Sequence, residues 1–177
     1  MPPSSPRFRQ CYKVVSFHEG GVADHPEDPG GFTVRGLTLG FLRAFGLDIN
    51  NDGVIDKRDL VGLSQEQIEV IYRNKIWLPT GCAGMPPGID LAVFDAAVNL
   101  GSPRARRLLQ AAVGVTVDGF LGSKSWLAIK NADTATLLDE FTARRGLYYA
   151  TRPKVLIFGL GWFRRLIDVH HTALGDV

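Results

Sequence analysis

Ile89-Asp90-Leu91-Ala92-Val93-Phe94-Asp95-Ala96-Ala97-Val98-Asn99-Leu100 is a run in which only Asp90, Asp95 and Asn99 are polar. A segment apolar almost all round reads as a helix buried on every side, and so as the centre about which the other elements pack. Asp95 and Asn99 stand four residues apart and share one face of it. They either line a cleft or satisfy polar groups in the interior.

Working outward, Ser102-Pro103 reads as an N-cap followed by proline at the first helical position, opening a helix to about Val113. Further helices are expected over 123–130, 134–151 and 160–172. On the other side, Pro79 to Pro87 is a linker rich in Gly and Pro. Before it, Ser64 with Gln67 three residues later forms a capping box, and Ile68, Ile71, Tyr72 and Ile76 follow on one face. Residues 38–47 read as a short apolar helix. Residues 8–18 read as a longer one, with Phe8, Cys11, Tyr12 and Val15 at helical spacing, Glu19 at its end and Gly20-Gly21 as the stop. Between these two, residues 22–38 are dense in Gly, Pro, Asp and Thr and suit a looped β-hairpin. The expected fold is mainly α: a helical bundle around a central buried helix, with a small β-hairpin after the first helix. The expected organisation is a lobe over 1–88 with the hairpin and a helical lobe over 89–177, packed as one globular unit.

At 177 residues with 45% hydrophobic and 21% charged side chains, the chain has ordinary globular composition. No apolar run reaches the roughly 18 residues of a membrane span; the richest, Val155 to Val169, is broken by Gly159, Gly161, Arg164 and Arg165. The start, MPPSSPRFRQ, has no apolar signal core, so the expectation is synthesis in the cytoplasm without a signal peptide. Cys11 and Cys82 make neither a disulfide framework nor a zinc spacing and read as small buried residues. The net charge of +2 is uneven: residues 1–100 sum to −3 and residues 101–177 to +5. A basic half suits an anionic partner, with arginines at 104, 106 and 107, at 144 and 145, and at 164 and 165.

Hydrolysis of a glycosidic bond needs a proton donor at the leaving oxygen and a second group to position water or stabilise the cationic transition state. Glu19 stands where a helix meets a Gly-rich turn, so its carboxyl can project into a cleft. Asp28 follows across the tight loop Asp28-Pro29-Gly30-Gly31, and the hydroxyl of Thr33 can hold a water beside it. Gly30 and Gly31 let the backbone approach a sugar chain closely. The competing reading makes Glu19 a solvated helix-end residue and Asp28 a turn former.

The run Glu19-Gly20-Gly21, Asp28-Pro29-Gly30-Gly31, Thr33, Gly36-Leu37-Thr38 resembles the signature of the family 108 glycoside hydrolases, N-acetylmuramidases of phages and bacteria. Ile71-Tyr72-Arg73 to Trp77 resembles the family's Tyr-Arg…Tyr-Trp segment, and Phe94 to Asn99 its central helix. Val117-Asp118-Gly119-Phe120-Leu121-Gly122, then Gly161-Trp162 with Arg165, resemble the associated C-terminal peptidoglycan-binding region. Departures are Val22 for a frequent aromatic, His25 for Asp and Val34 for Asn. The resemblance implies an α+β lysozyme-like fold and a bacteriophage-type endolysin cutting the bond between N-acetylmuramic acid and N-acetylglucosamine. Glu19 is then the general acid, with Asp28 and Thr33 as water-holding partners. Gly30, Gly31, Thr38, Asp95 and Asn99 are candidate sugar contacts. The implied partners are peptidoglycan glycan strands, with electrostatic contact to anionic wall or outer membrane, no nucleic acid and no stable protein partner. A monomer acting on the wall after release is expected. A lytic transglycosylase would use the same glutamate with the muramic 6-hydroxyl in place of water; a calcium-dependent wall-binding module would need no catalytic set.

Asp48-Ile49-Asn50-Asn51-Asp52-Gly53-Val54-Ile55-Asp56-Lys57-Arg58-Asp59 matches an EF-hand-type loop. Asp48, Asn50, Asp52, the carbonyl of Val54, Asp56 and Asp59 occupy the ligand positions, Gly53 the sharp turn and Ile55 the apolar anchor. A structural Ca2+ is expected, with Asp59 standing where Glu is usual; the alternative is a solvated acidic loop. His18 beside Glu19, the pair His170-His171, and Trp77, Trp126 and Trp162 read as surface or core residues.

Overall fold

The computed structural model describes residues 5–20, 22–23 and 33–177. The chain divides into two compact units, Met1–Lys75 and Ile76–Val177. It passes from one to the other inside a π-helical turn, Arg73–Trp77.

In the first unit, helix α1 (Pro6–Glu19) begins two residues before the expected start. Ser5 caps it by accepting the Phe8 N–H at 3.3 Å, and Pro6 sits where no N–H is needed. It buries Phe8, Cys11, Tyr12 and Val15 and ends at Glu19, with Gly20 at φ 70°. Three short strands follow: β1 (Val22–Ala23), β2 (Thr33–Val34) and β3 (Leu37–Thr38), antiparallel in that order. The register sets Val22 opposite Val34 and Thr33 opposite Thr38. The expected hairpin is therefore a three-stranded meander. Its β2–β3 turn is only two residues, Arg35 and Gly36, both left-handed at φ 48° and 81°, the geometry that matches strand twist. Helix α2 (Leu39–Ala44), α3 (Lys57–Val61) and α4 (Gln65–Tyr72) complete the unit. The capping box of α4 is present: Ser64 N–H donates to Gln67 Oε1 at 2.9 Å and Gln67 N–H to Ser64 Oγ at 3.2 Å.

In the second unit, α5 (Leu78–Thr80) and a 3-10 turn (Cys82–Gly84) lead into α6 (Ile89–Leu100), which is buried without interruption from Ile89 to Ala97. Each fully buried Leu, Val or Phe there contributes about 1.5–3 kcal/mol. Helices α7 (Ser102–Ala112), α9 (Thr134–Ala150) and α10 (Val155–Leu174) pack on α6, and α8 (Ser123–Asn131) lies between α7 and α9 in sequence. Residues 76–88, assigned by sequence to the first lobe, pack within this unit. Thr80 Oγ1 donates to Ser102 Oγ at 2.7 Å, Arg106 donates to Pro79 O at 2.9 Å, and the Trp126 indole lies against Gly81 and Gly84. Gly and Pro announce a break in helix; they do not say on which side the break packs. Ser102 is consequently not the cap of α7. That position belongs to Gly101, at φ 85°. Helix α10 starts five residues ahead of expectation because Leu156, Ile157 and Leu160 face solvent, which hides its amphipathic pattern. Among the described residues no helix is long and apolar enough to cross a membrane, and both cysteines are buried. The mainly-α, lysozyme-like organisation with a small β element after the first helix is the one the chain adopts.

Candidate active site

Glu19 occupies the last turn of α1 and is half-buried. The Arg35-Gly36 turn faces it. A Cβ placed on Gly36 would stand 2.5 Å from Glu19 Oε2 and 2.7 Å from Glu19 Cγ, and closer still to the Tyr72 hydroxyl. Gly36 is thus required twice: for its left-handed backbone and for the absence of a side chain against the carboxyl. Tyr72, at the end of α4, donates to the Arg35 carbonyl at 2.9 Å and holds the turn in place. Its ring lies 5.3 Å from that of Tyr12 on α1. Gln65 joins the two sides, donating to the Tyr12 hydroxyl at 3.4 Å and accepting from Arg35 Nη1. Burial pushes the Tyr12 phenol above its ordinary range, against the opposing pull of the Gln65 hydrogen bond. Tyr12 therefore stays neutral, and the carboxyl of Glu19 rests on a wall of backbone and phenol.

Thr33 sits on β2, half-buried and opposite Thr38. Thr38 caps α2, its hydroxyl accepting the Phe41 N–H at 3.0 Å, so this candidate sugar contact carries a structural bond. Asp28, Gly30, Gly31 and His25 lie outside the described residues.

The acidic loop folds into successive side-chain turns. Asp48 Oδ2 accepts the Gly53 N–H at 2.8 Å, Asn50 Oδ1 the Asp52 N–H at 2.9 Å, and Asp52 Oδ1 the Val54 N–H at 2.9 Å. Asp59, fully buried, accepts from Ile49 and Asn50 through Oδ1 and from Asp56 N through Oδ2, which closes the loop and caps α3. The Asp56 hydrogen bond leads the backbone contacts that hold the Asp59 carboxyl below its usual range. Arg58 pairs with both Asp52 and Asp56, at 2.8 and 2.9 Å. Among the described residues no group of three His, Cys, Asp or Glu side chains stands arranged to hold a metal ion. One carboxylate oxygen, Asp48 Oδ1, is buried without a hydrogen-bond partner.

On α6, Asp95 takes the interior role of the two open to it. It is 0% exposed and pairs with Arg145 at 2.6 Å and Arg165 at 2.7 Å, so it touches no substrate directly. Burial works to raise its pKa, but the two guanidiniums prevail and hold it below the ordinary carboxylate range. Asn99 is exposed one turn on and accepts from the Tyr149 hydroxyl at 2.7 Å, which in turn accepts from Arg145 Nε at 2.9 Å. Of the arginines expected to form a basic face, Arg145 and Arg165 are spent on Asp95 and Arg144 pairs with Glu140. The Val117–Gly122 loop is held by Gln110, which donates to Asp118 at 2.7 Å and to Phe120 O at 2.9 Å. Trp77 is core, and Trp162 lines a pocket. Tyr72 and Gly36 stood only as links in a motif; nothing in their spacing places both against Glu19.

The model of the glycosyl hydrolase 108 family matches residues 12–101. The chain belongs to that family. As a member it is a glycoside hydrolase, and Glu19, Thr33, the acidic loop and α6 all fall within the matched span. The solved structure of Brucella abortus SagA is 32% identical, with a TM-score of 0.86 over 96% of this chain and 94% of that one. The similarity thus extends through nearly all of the second unit. No curated protein sequence matches.

Proposed function

We propose that the protein is an endolysin-type muramidase, hydrolysing the β-1,4 bond between N-acetylmuramic acid and N-acetylglucosamine in bacterial peptidoglycan. The observation that carries this is the seat of Glu19: a half-buried residue at a helix end, its carboxyl backed by Gly36 and Tyr72, within the span matched by a glycosidase family. A carboxyl held in place against backbone and a phenol suits proton donation to a leaving glycosidic oxygen. Charge then develops on the sugar ring, and a water held by Asp28 and Thr33 attacks the anomeric carbon. The chain is released from the cytoplasm to reach the wall.

The loop Asp48–Asp59 is proposed as a structural Ca2+ site. The buried oxygen Asp48 Oδ1 supports it. Asp48, Asn50, Asp52, the Val54 carbonyl and Asp56 would hold the ion, with Arg58 released from Asp52 and Asp56. Asp59 would close the loop through its backbone bonds. The ion would supply countercharge to the carboxylates and take no part in proton transfer.

Mass spectrometry of products from purified sacculi tests the reaction. Reducing muramic ends are expected, and none from Glu19→Gln. Products with 1,6-anhydro ends would make the enzyme a transglycosylase, and absence of cleavage by the unaltered protein would leave a wall-binding module.

A further inference from the structure

The second unit carries a pocket of about 400 Å³ lined chiefly by Asn99, Tyr148, Tyr149, Arg152, Lys154 and Trp162. Its floor is aromatic: the Tyr149 ring lies 5.5 Å from Trp162 and 6.4 Å from Tyr148. Its rim is cationic. The Arg152 guanidinium stacks 4.2 Å over Tyr148 and donates to Thr151 Oγ1, and Arg104 approaches the same ring at 4.9 Å. Arg152 Nε is buried with no hydrogen-bond partner, Arg152 Nη1 donates to the Tyr148 hydroxyl at 3.5 Å, and the ion pairs found among the described residues of this unit include neither Arg152 nor Lys154.

The surrounding sequence keeps these cations uncompensated. Residues 141–167 contain six Lys or Arg and no Asp or Glu. The buried cluster behind the floor adds to the field, because one carboxylate, Asp95, faces two guanidiniums, Arg145 and Arg165. That cluster also makes the floor rigid: Arg145 binds the Tyr149 hydroxyl, which binds Asn99. Asn99 keeps its amide N–H groups to donate. A preorganised aromatic floor with two planar-fork or ammonium donors at its rim selects an anion carried on a compact organic body.

We propose that this pocket binds the carboxylate-bearing stem peptide of peptidoglycan, so that the second unit recognises the peptide while the first acts on the glycan. The inference rests on the peptidoglycan reading above. Within that polymer the alternating N-acetyl sugars are neutral where the lactyl group is amidated, and the negative charge resides on the stem peptide. The cations at the rim therefore read the peptide.

The test is calorimetric titration of the full chain carrying Glu19→Gln, with two probes: a purified disaccharide-tetrapeptide and the same disaccharide stripped of its peptide. The tetrapeptide form should bind and the stripped form should not. Arg152→Ala and Lys154→Glu should each weaken binding at least about tenfold, and Arg152→Lys should recover only part. Lys154 is exposed, so its variant folds normally, and thermal melts verify the Arg152 variants. Equal binding of both probes, or unchanged binding by the Arg152→Ala and Lys154→Glu variants, overturns the proposal. Binding to phosphatidylglycerol vesicles in place of the tetrapeptide overturns it too, by assigning the pocket to a lipid. The unaltered protein lysing sacculi alongside any of those results sinks the pocket alone. Tetrapeptide binding without lysis sinks the muramidase reading and leaves the pocket standing.

Discussion

Glu19 and Asp95 each lie on a helix beside a tyrosine, and the molecule treats them in opposite ways. Asp95 is sealed at 0% exposure between Arg145 and Arg165 and has no route to solvent or ligand. Glu19 is half-buried against the Arg35-Gly36 turn and Tyr72, with part of its surface reachable. Two guanidiniums hold the Asp95 carboxyl below its ordinary range, and its task is to tie α6 to α9 and α10. The Glu19 carboxyl is instead lodged against backbone and a phenol. The proposed proton donor of one unit and the structural anion of the other carry the same functional group and differ in what surrounds it.

The contrast can be broken first at Asp95. Removing its charge strands two buried guanidiniums, and breaking a buried pair costs about 3–5 kcal/mol. Asp95→Asn should therefore lower the melting temperature by on the order of 10 °C and remove activity only by unfolding. The pH dependence has a definite sign. Because the folded carboxyl lies below its ordinary range, its contribution is complete above the unfolded value of about 3.9. It is lost as pH falls below that toward the folded value. Melts in acid should show that step in the unaltered protein and not in Asp95→Asn.

Glu19→Gln should do the reverse. Loss of the proton donor should slow the clearing of sacculi at least about a hundredfold, while the melting temperature moves by no more than about 2 °C. Near-normal lysis would remove the chemical half of the comparison. Gly36→Ala sharpens it: the left-handed backbone and the collision with Glu19 and Tyr72 together cost about 1–3 kcal/mol. Since the displaced atoms include the carboxyl, activity per folded molecule should also fall. A stable Gly36→Ala enzyme with full activity would show that the wall behind Glu19 is not needed.

A partial loss of lysis is expected from removing calcium, which is proposed for the acidic loop and for neither carboxylate. At about 100 times its dissociation constant a ligand stabilises a fold by roughly 2.7 kcal/mol, or about 5–10 °C here. Chelation should lower the melting temperature by several degrees and reduce lysis without abolishing it. Magnesium should restore both poorly, given its preference for a tight octahedral shell. Melts that ignore chelator and added calcium alike would leave Arg58 as the loop's own cation.

Much of this was legible in the chain. Apolar periodicity marked α1, α4 and the buried α6, because burial imposes its period directly on side-chain type. Ser64 with Gln67 and the Gly20 stop marked helix ends through local backbone chemistry. The start of α10 was not legible, since exposed Leu156, Ile157 and Leu160 carry no amphipathic signature. Nor was the seat of residues 76–88, where glycine and proline encode a break and not a destination.

The sequence by itself therefore determined the class of fold, the order of its main helices, the family motif around Glu19 and the acidic spacing of the 48–59 loop. These are properties of neighbours along the chain. Tertiary structure alone decided that Gly36 and Tyr72 stand behind Glu19 and that Asp95 is locked between arginines 50 and 70 residues away. It also decided that Arg152, left without a carboxylate, rims an aromatic pocket. The physical reason is the same in each case: what a charged or left-handed residue does depends on the dielectric, the partners and the space around it, and packing between distant segments sets all three.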